Sequence, residues 1–270
     1  MKRIVPFDGP VQLQGFNNLT KSLSFNLYDF CVARNDYERQ AYVDYIHERY
    51  NAARITDLLQ GISKIIEARV LAVSDQDYSP WGASSLLLMS DLKGNGLTEG
   101  DTTMPRPPLK NASPDMAFHL DKSHICAHTY PDFRAKGEIC SFRIDIDIST
   151  CGEITPLKAL NYMFSSFDSD VVVIDYRVRG YTRDLMERRV FMDHEMTSIQ
   201  DYIRSVTLND YHCVDLALQS DNIWQTKMLR TRVDKQSYFL DPVELDDPET
   251  KRYLDLVRNE MRGLLYMWPE

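Results

Sequence analysis

Glycine is scarce, with 11 in 270 residues, and neither GxGxxG nor GxxxxGK[ST] occurs. The glycine-rich turns that cradle dinucleotide and nucleotide phosphates therefore lack sequence support. The cysteines are five (Cys31, Cys126, Cys140, Cys151, Cys213), scattered, odd in number and without a CxxC pair. Such a set argues against a disulfide framework and a zinc ribbon and suits a reducing, cytoplasmic setting. Positive charge is in deficit: 31 Lys and Arg face 40 Asp and Glu, a formal net charge of −9. An acidic chain without a concentrated basic patch is a poor partner for nucleic acid. The longest apolar run, Val171-Val172-Val173-Ile174, is strand-sized and far below the ~18 residues of a membrane span. Pro6 and Asp8 interrupt the N-terminus before a signal-peptide core can form. What remains, 43% hydrophobic and 26% charged residues, is the composition of an ordinary globular unit, read here as one domain over 1–270.

The hydrophobic pattern predicts both element types. Strands are expected at 24–33, 69–74, 86–89, 123–130, 140–150 and 171–178. The clearest is CSFRIDIDIST (140–150), where Phe142, Ile144, Ile146 and Ile148 alternate with Arg143, Asp145 and Asp147, the period of a strand with one buried and one polar face. Helices are expected from Asp36 to about Gly61 and onward to Ala68, after Thr155-Pro156 with Pro at the first helical position, over Asp193–Val206 with Asp193 as cap, and over Pro248–Met267. The stretch 91–115 is polar and reads as a long loop, and such loops inside a domain are usually functional or disordered. Strands and helices without strict βαβ alternation imply an α+β fold, an antiparallel sheet covered by helices on one face. Residues 190–270 show no motif.

Chemistry concentrates in HLDKSHICAHTYPD (119–132), which holds three of the six histidines. On a strand, His124, Cys126 and His128 share one face, and Ser123, Ile125 and Ala127 the other. Three readings stand side by side. The stretch is an ordinary half-buried strand; or His124, Cys126 and His128 ligate a metal, with no evident fourth ligand; or Ser123 is a nucleophile with His128 as its acid or base, since a serine hydroxyl is weak without such a partner.

Lys122-Ser123-His124-Ile125 together with His128-Thr129-Tyr130-Pro131 resembles the self-cleavage segment of S-adenosylmethionine decarboxylase proenzymes of the longer bacterial form. Thr150-Cys151-Gly152 resembles that family's catalytic-cysteine motif. Tyr78-Ser79-Pro80-Trp81-Gly82-Ala83-Ser84 resembles the segment that carries a stacking aromatic and a processing serine. The likeness runs over roughly 69–184, with a weaker match at 26–31.

The resemblance implies a pyruvoyl enzyme. Ser123 would attack the carbonyl of Lys122, and elimination from the resulting ester would leave a covalent pyruvoyl group at position 123. The products would be a β chain, 1–122, and an α chain, 123–270. His128 would serve the elimination and Ser84 would assist processing. The pyruvoyl ketone would take up the amine of S-adenosylmethionine and draw off the electrons left when CO2 departs, as pyridoxal does elsewhere; Cys151 would return a proton to the carbon. Tyr78 stands where the family stacks adenine, and Asp132, one methylene shorter than the glutamate of many relatives, where it binds ribose. The product would be the aminopropyl donor for spermidine. The resemblance further implies an αβ sandwich whose protomers pair into a layered homo-oligomer, and an association with Mg2+, for which no carboxylate cluster in the sequence marks a site. Rival readings are a pyruvoyl decarboxylase of ornithine or arginine, a His/Cys metal-binding protein, and a relative that no longer processes itself. Asp193-His194-Glu195 reads as a helix start, with its acidic side chains favoured by the dipole.

Overall fold

The computed structural model describes residues 19–91, 123–133 and 137–267. Lys122 and, apart from Asp91 at a strand end, the polar stretch 91–115 lie outside them. Ten strands form: β1 (Thr20–Val32), β2 (Ala68–Asp77), β3 (Ala83–Asp91), β4 (Ser123–Phe133), β5 (Ile139–Cys151), β6 (Val171–Arg179), β7 (Thr182–Arg183), β8 (Arg189–Val190), β9 (Tyr211–Leu218) and β10 (Ile223–Arg230). Eight of them make one antiparallel sheet in the order β2-β3-β4-β5-β1-β6-β10-β9, and β7 and β8 pair separately.

Helices α1 (Asp36–Arg49), α2 (Ala52–Ile65) and α3 (Leu160–Ser166) cover one face. The single helix expected from Asp36 onward is two. Asn35 caps α1 through Glu38 N–H, and Asn51 caps α2 through Arg54 N–H, each side-chain oxygen taking a donor the first turn leaves unpaired. The core on this face gathers Leu23, Phe25 and Leu27 of β1, Ile144, Ile146 and Ile148 of β5, and Ile55, Leu59 and Ile62 of α2. Tyr50 stacks on Phe142, centroids 4.6 Å apart.

Among the described residues the other face, called the open face below, is covered only at one end. There α5 (Pro248–Tyr266), begun by Asp247 as cap and Pro248, lays Tyr253, Leu254, Val257 and Met261 against Phe30, Val32 and Val171. Helical cover is thus not confined to one face, because the apolar ends of β1 and β6 on the second face need a partner too. At that end Asp170 is 1% exposed and accepts hydrogen bonds from Phe30 N (3.1 Å) and Tyr238 Oη (2.8 Å). Burial pushes its carboxyl up to about 6, and drives Asp29 beside it in the same direction.

The helix expected over Asp193–Val206 is absent. A 3-10 turn at Ile199–Tyr202, capped by Ser198, and one α turn, α4 (Ser205–Leu208), stand there instead. Asp193 caps nothing; its carboxylate is engaged by Lys21, 172 residues away. No helix among the described residues is long and apolar enough to cross a membrane.

Candidate active site

The alternation of β4 divides the candidate residues between the two faces. Ser123, Ile125, Ala127 and Thr129 are buried on the helix-covered face, while His124, Cys126 and His128 are half-buried on the open face and Tyr130 is exposed there. Two clusters result, at different places along the strand.

The first joins Ser123 and Cys151. Ser123 opens β4 and is 6% exposed; its Oγ accepts the amide N–H of Cys151 at 3.2 Å. Cys151 closes the neighbouring strand β5, opposite Thr20 of β1, and is exposed. The next residue, Gly152, has φ +76°, a left-handed conformation that favours glycine, and its N–H bonds to Leu19 O at 3.1 Å. That conformation turns the chain sharply beside the thiol. The buried hydroxyl and the accessible thiol, tied through one amide, fit the pyruvoyl assignment: Ser123 is held in place, and Cys151 is open to a substrate.

The second cluster lies on the open face. His128 stands between Ser84 on β3 and Asp145 on β5. Burial raises the Asp145 carboxyl, against the pull of Arg143, whose guanidinium is 3.1 Å from it. Arg143 also covers the Tyr130 ring at 4.1 Å, and Tyr130 lies alongside the His128 ring. Tyr78 sits in the β2–β3 turn, 36% exposed, with its N–H on Gly82 O at 2.8 Å. Gly82 has φ +102°, and a Cβ there would meet Thr129 O at 2.9 Å, so this turn is pressed against β4. Thr129 secures the contact: its Oγ1 accepts from Ala83 N at 2.7 Å and donates to Ala83 O at 3.3 Å. Asp132 is exposed further along β4, beside a hollow lined by Phe30, Ser141 and Glu260.

The two clusters do not meet within one chain. Five residues of strand separate Ser123 from His128, about 17 Å, and their side chains leave opposite faces. His128 therefore cannot act on Ser123 of its own chain without a large rearrangement. Among the described residues no three His, Cys, Asp or Glu side chains converge on a common point, so nothing here fits a magnesium ion or the His124–Cys126–His128 metal reading. Local pattern did not reveal Asp145 as the neighbour of His128, Thr129 as the anchor of the Tyr78 turn, or Lys21 and Asp193 behind Gly152. Asp145 was legible only as a polar-face residue, and Lys21 lay ahead of the strand expected at 24–33, which begins at Thr20 in the structure.

A family model described as S-adenosylmethionine decarboxylase matches residues 42–180. Among curated proteins, the S-adenosylmethionine decarboxylase proenzyme of Alkaliphilus metalliredigens is 44% identical over 264 residues, 95% of either chain. The protein of the same name from Chromohalobacter salexigens is 46% identical over 258 residues, covering 95% of this chain and 97% of its own. That from Pectobacterium atrosepticum is 45% identical, covering 95% and 96%. A crystal structure of the adenosylmethionine decarboxylase from Aquifex aeolicus superimposes at a TM-score of 0.32 with 15% identity, over 67% of this chain and 99% of that one; at that score the likeness adds nothing to the fold described above. Identity of this order, sustained over nearly the whole length, places the chain in the S-adenosylmethionine decarboxylase family.

Proposed function

We propose that the chain is a self-cleaving, pyruvoyl-dependent decarboxylase that releases CO2 from S-adenosylmethionine and supplies the aminopropyl donor for spermidine. The observation that carries the residue assignment is the Ser123–Cys151 contact. It places a buried serine at the first position of a strand and an accessible thiol one strand away. In the cutting step Ser123 Oγ attacks the Lys122 carbonyl and the peptide nitrogen leaves, turning amide into ester. Removal of the Ser123 α-proton then expels the carboxylate of residue 122 and leaves a dehydroalanine; its imine tautomer takes up water and releases ammonia, so that a ketone remains at position 123. The Cys151 amide holds Ser123 Oγ in place, and in the elimination its N–H would stabilise the charge that gathers on this oxygen as the carboxylate leaves.

The pyruvoyl group would supply an electrophilic carbonyl for the substrate amine and a sink for the electron pair left by CO2. The chain's own side chains do the rest. Cys151 Sγ holds the proton that replaces the lost carboxyl group. Tyr78 offers a half-exposed ring for adenine at the edge of the open face. Asp132, on the same face of β4 as His128, offers carboxylate oxygens for the ribose hydroxyls. The net charge of −9 favours the approach of a sulfonium cation. Five free thiols accord with a reducing cytoplasm.

His128 and Ser84 complete this scheme across two copies. Among the described residues no helix covers the half-buried His124, Cys126 and His128 of the open face, which leaves that face available to a second copy. We assign the working unit to a homo-oligomer in which His128 and Ser84 of one copy serve Ser123 of another. Co-expression of a Ser123→Ala chain with a His128→Ala chain tests this. One mixed site then holds both an intact serine and an intact histidine, so the His128→Ala chain is cut in the mixture although neither variant is cut alone. Absence of any cut chain in a proven mixed oligomer defeats the shared site.

A further inference from the structure

Lys21 is the most deeply buried cation among the described residues, 2% exposed, and a charge so placed must be paired to be tolerated. Its Nζ donates to Asp193 Oδ2 at 2.6 Å and to the Gly152 carbonyl at 3.0 Å. The other oxygen of Asp193 meets His194 Nδ1 at 2.7 Å, and His194 Nε2 lies 3.2 Å from the hydroxyl of Tyr176, a core residue of β6. A continuous polar chain thus runs from the middle strands to the peptide group just after Cys151.

Three backbone groups at that corner are held. Cys151 N–H goes to Ser123 Oγ, Gly152 N–H to Leu19 O and Gly152 C=O to Lys21. Next to it, Thr150, fully buried, donates its hydroxyl to Ile154 O at 3.1 Å and closes the turn from the other side. Two of these ties have purely backbone partners or a reacting residue. The third needs a lysine, an aspartate and a segment beyond residue 190, where a water molecule or a hydroxyl would satisfy the carbonyl just as well. A buried ion pair is a poor device for stability alone, since apolar side chains of like size usually serve as well or better. Its value here is geometric: a charged donor with a short, fixed reach.

We infer that Lys21, braced by Asp193, is a positioning residue that fixes the Gly152 carbonyl and so sets the Cys151 thiol for proton delivery beside position 123. The inference rests on the reading of Cys151 as proton donor, and it gives the segment after Val190 a part in the active site. Lys21 itself touches no reacting atom.

The first variant is Lys21→Met, and because it leaves Asp193 buried without its cation, the double variant Lys21→Met with Asp193→Leu accompanies it. Three quantities are read on the full-length protein: melting temperature, hydrogen exchange of the amides at 150–153, and kcat and KM per cut chain. The double variant is expected to melt within a few degrees of the parent and to exchange the 151 and 152 amides at least tenfold faster, while the centre of β5 stays protected. Its kcat per cut chain falls at least tenfold with KM changed less than threefold; a variant that is not cut at all overturns the inference as stated, since the pair would then serve the cutting step rather than proton delivery. A double variant whose local exchange and kcat both stay within twofold of the parent overturns it, since a purely structural pair is replaceable in that way. Cys151→Ala runs alongside as a reference. Normal turnover in that variant removes the proton-donor reading itself, whereas an impaired Cys151→Ala beside a silent Lys21–Asp193 pair removes only the positioning role.

Discussion

Replacing Cys151 by alanine separates two jobs that the proposed function gives to different atoms of one residue. The thiol is exposed and is given the turnover step. The amide, 3.2 Å from Ser123 Oγ, is given the cutting step. Alanine removes the first and keeps the second. A positioned general acid is worth 10²–10⁴ in rate; because this thiol faces solvent, water can partly stand in, and the low end applies. Turnover is expected to fall about 100-fold, equivalent to about 2.7 kcal/mol of barrier. Cutting keeps its amide hydrogen bond, worth about 1 kcal/mol, and is expected to change less than about fivefold. A time course of intact mass under denaturing conditions follows cutting, and release of labelled CO2, normalised to cut chain, follows turnover. If cutting and turnover decline together by the same factor, the division of labour between thiol and amide is wrong. If turnover is unchanged, another group protonates the product.

Ser123→Ala is expected to leave one full-length chain and no decarboxylation; active protein with an unbroken backbone in denaturing mass spectrometry excludes the serine. Gly82→Ala forces a side chain into a φ of +102° and against Thr129 O. It should cost about 1–3 kcal/mol in denaturant unfolding and slow cutting through the displaced Ser84 and His128 strands; an unchanged midpoint refutes the tight approach. Phe142→Ala empties the stack under Tyr50 and should lose about 3–5 kcal/mol, read from the same unfolding curve. Asp170 carries a pH signature. Its carboxyl titrates near 6 in the folded protein against an ordinary 3.8, so the folded state holds the proton more tightly. Its contribution is present below about pH 4 and is lost as pH rises to about 6. Melting temperatures of Asp170→Asn relative to the parent should therefore improve from pH 4.5 to pH 7, whereas parallel curves contradict the burial argument.

The half of the sheet that obeys a simple period was legible from sequence. β5 alternates because one face packs on α1 and the turn at Pro156–Ala159 while the other carries Arg143, Asp145 and Asp147, and its predicted inward set is the buried one. The parity of β4 likewise separated Ser123 from His128 before any coordinates. The hairpin of β9 and β10 went unread for physical reasons. Its edge strand exposes Val214, Leu216 and Leu218, and its buried row includes Thr226, whose hydroxyl is satisfied by Asp215 at 2.7 Å. Apolar residues thus point outward and a polar one inward, which erases the expected alternation. Asp193 misled because acidic residues before an apolar stretch imitate a helix start, while its true partner lies far off in sequence. Motif order supplied the candidate residues and parity their faces, but that His128 lies between Ser84 and Asp145 depends on the registers of β3, β4 and β5, which no local pattern carries.

If the backbone is broken ahead of Ser123 as proposed, the position of β1 has a consequence for the two pieces. This strand belongs to the amino-terminal piece, yet it lies between β5 and β6 of the carboxy-terminal piece, with a partner for each residue from Thr20 to Val32 on β5 and from Thr20 to Tyr28 on β6. The severed pieces are interlaced, so neither can leave without ripping the sheet along its middle. The carboxy-terminal piece alone would also lack the strip that joins its two halves. A cut at that point would therefore leave two polypeptides still joined through the middle of the sheet, expected to migrate and melt as one body.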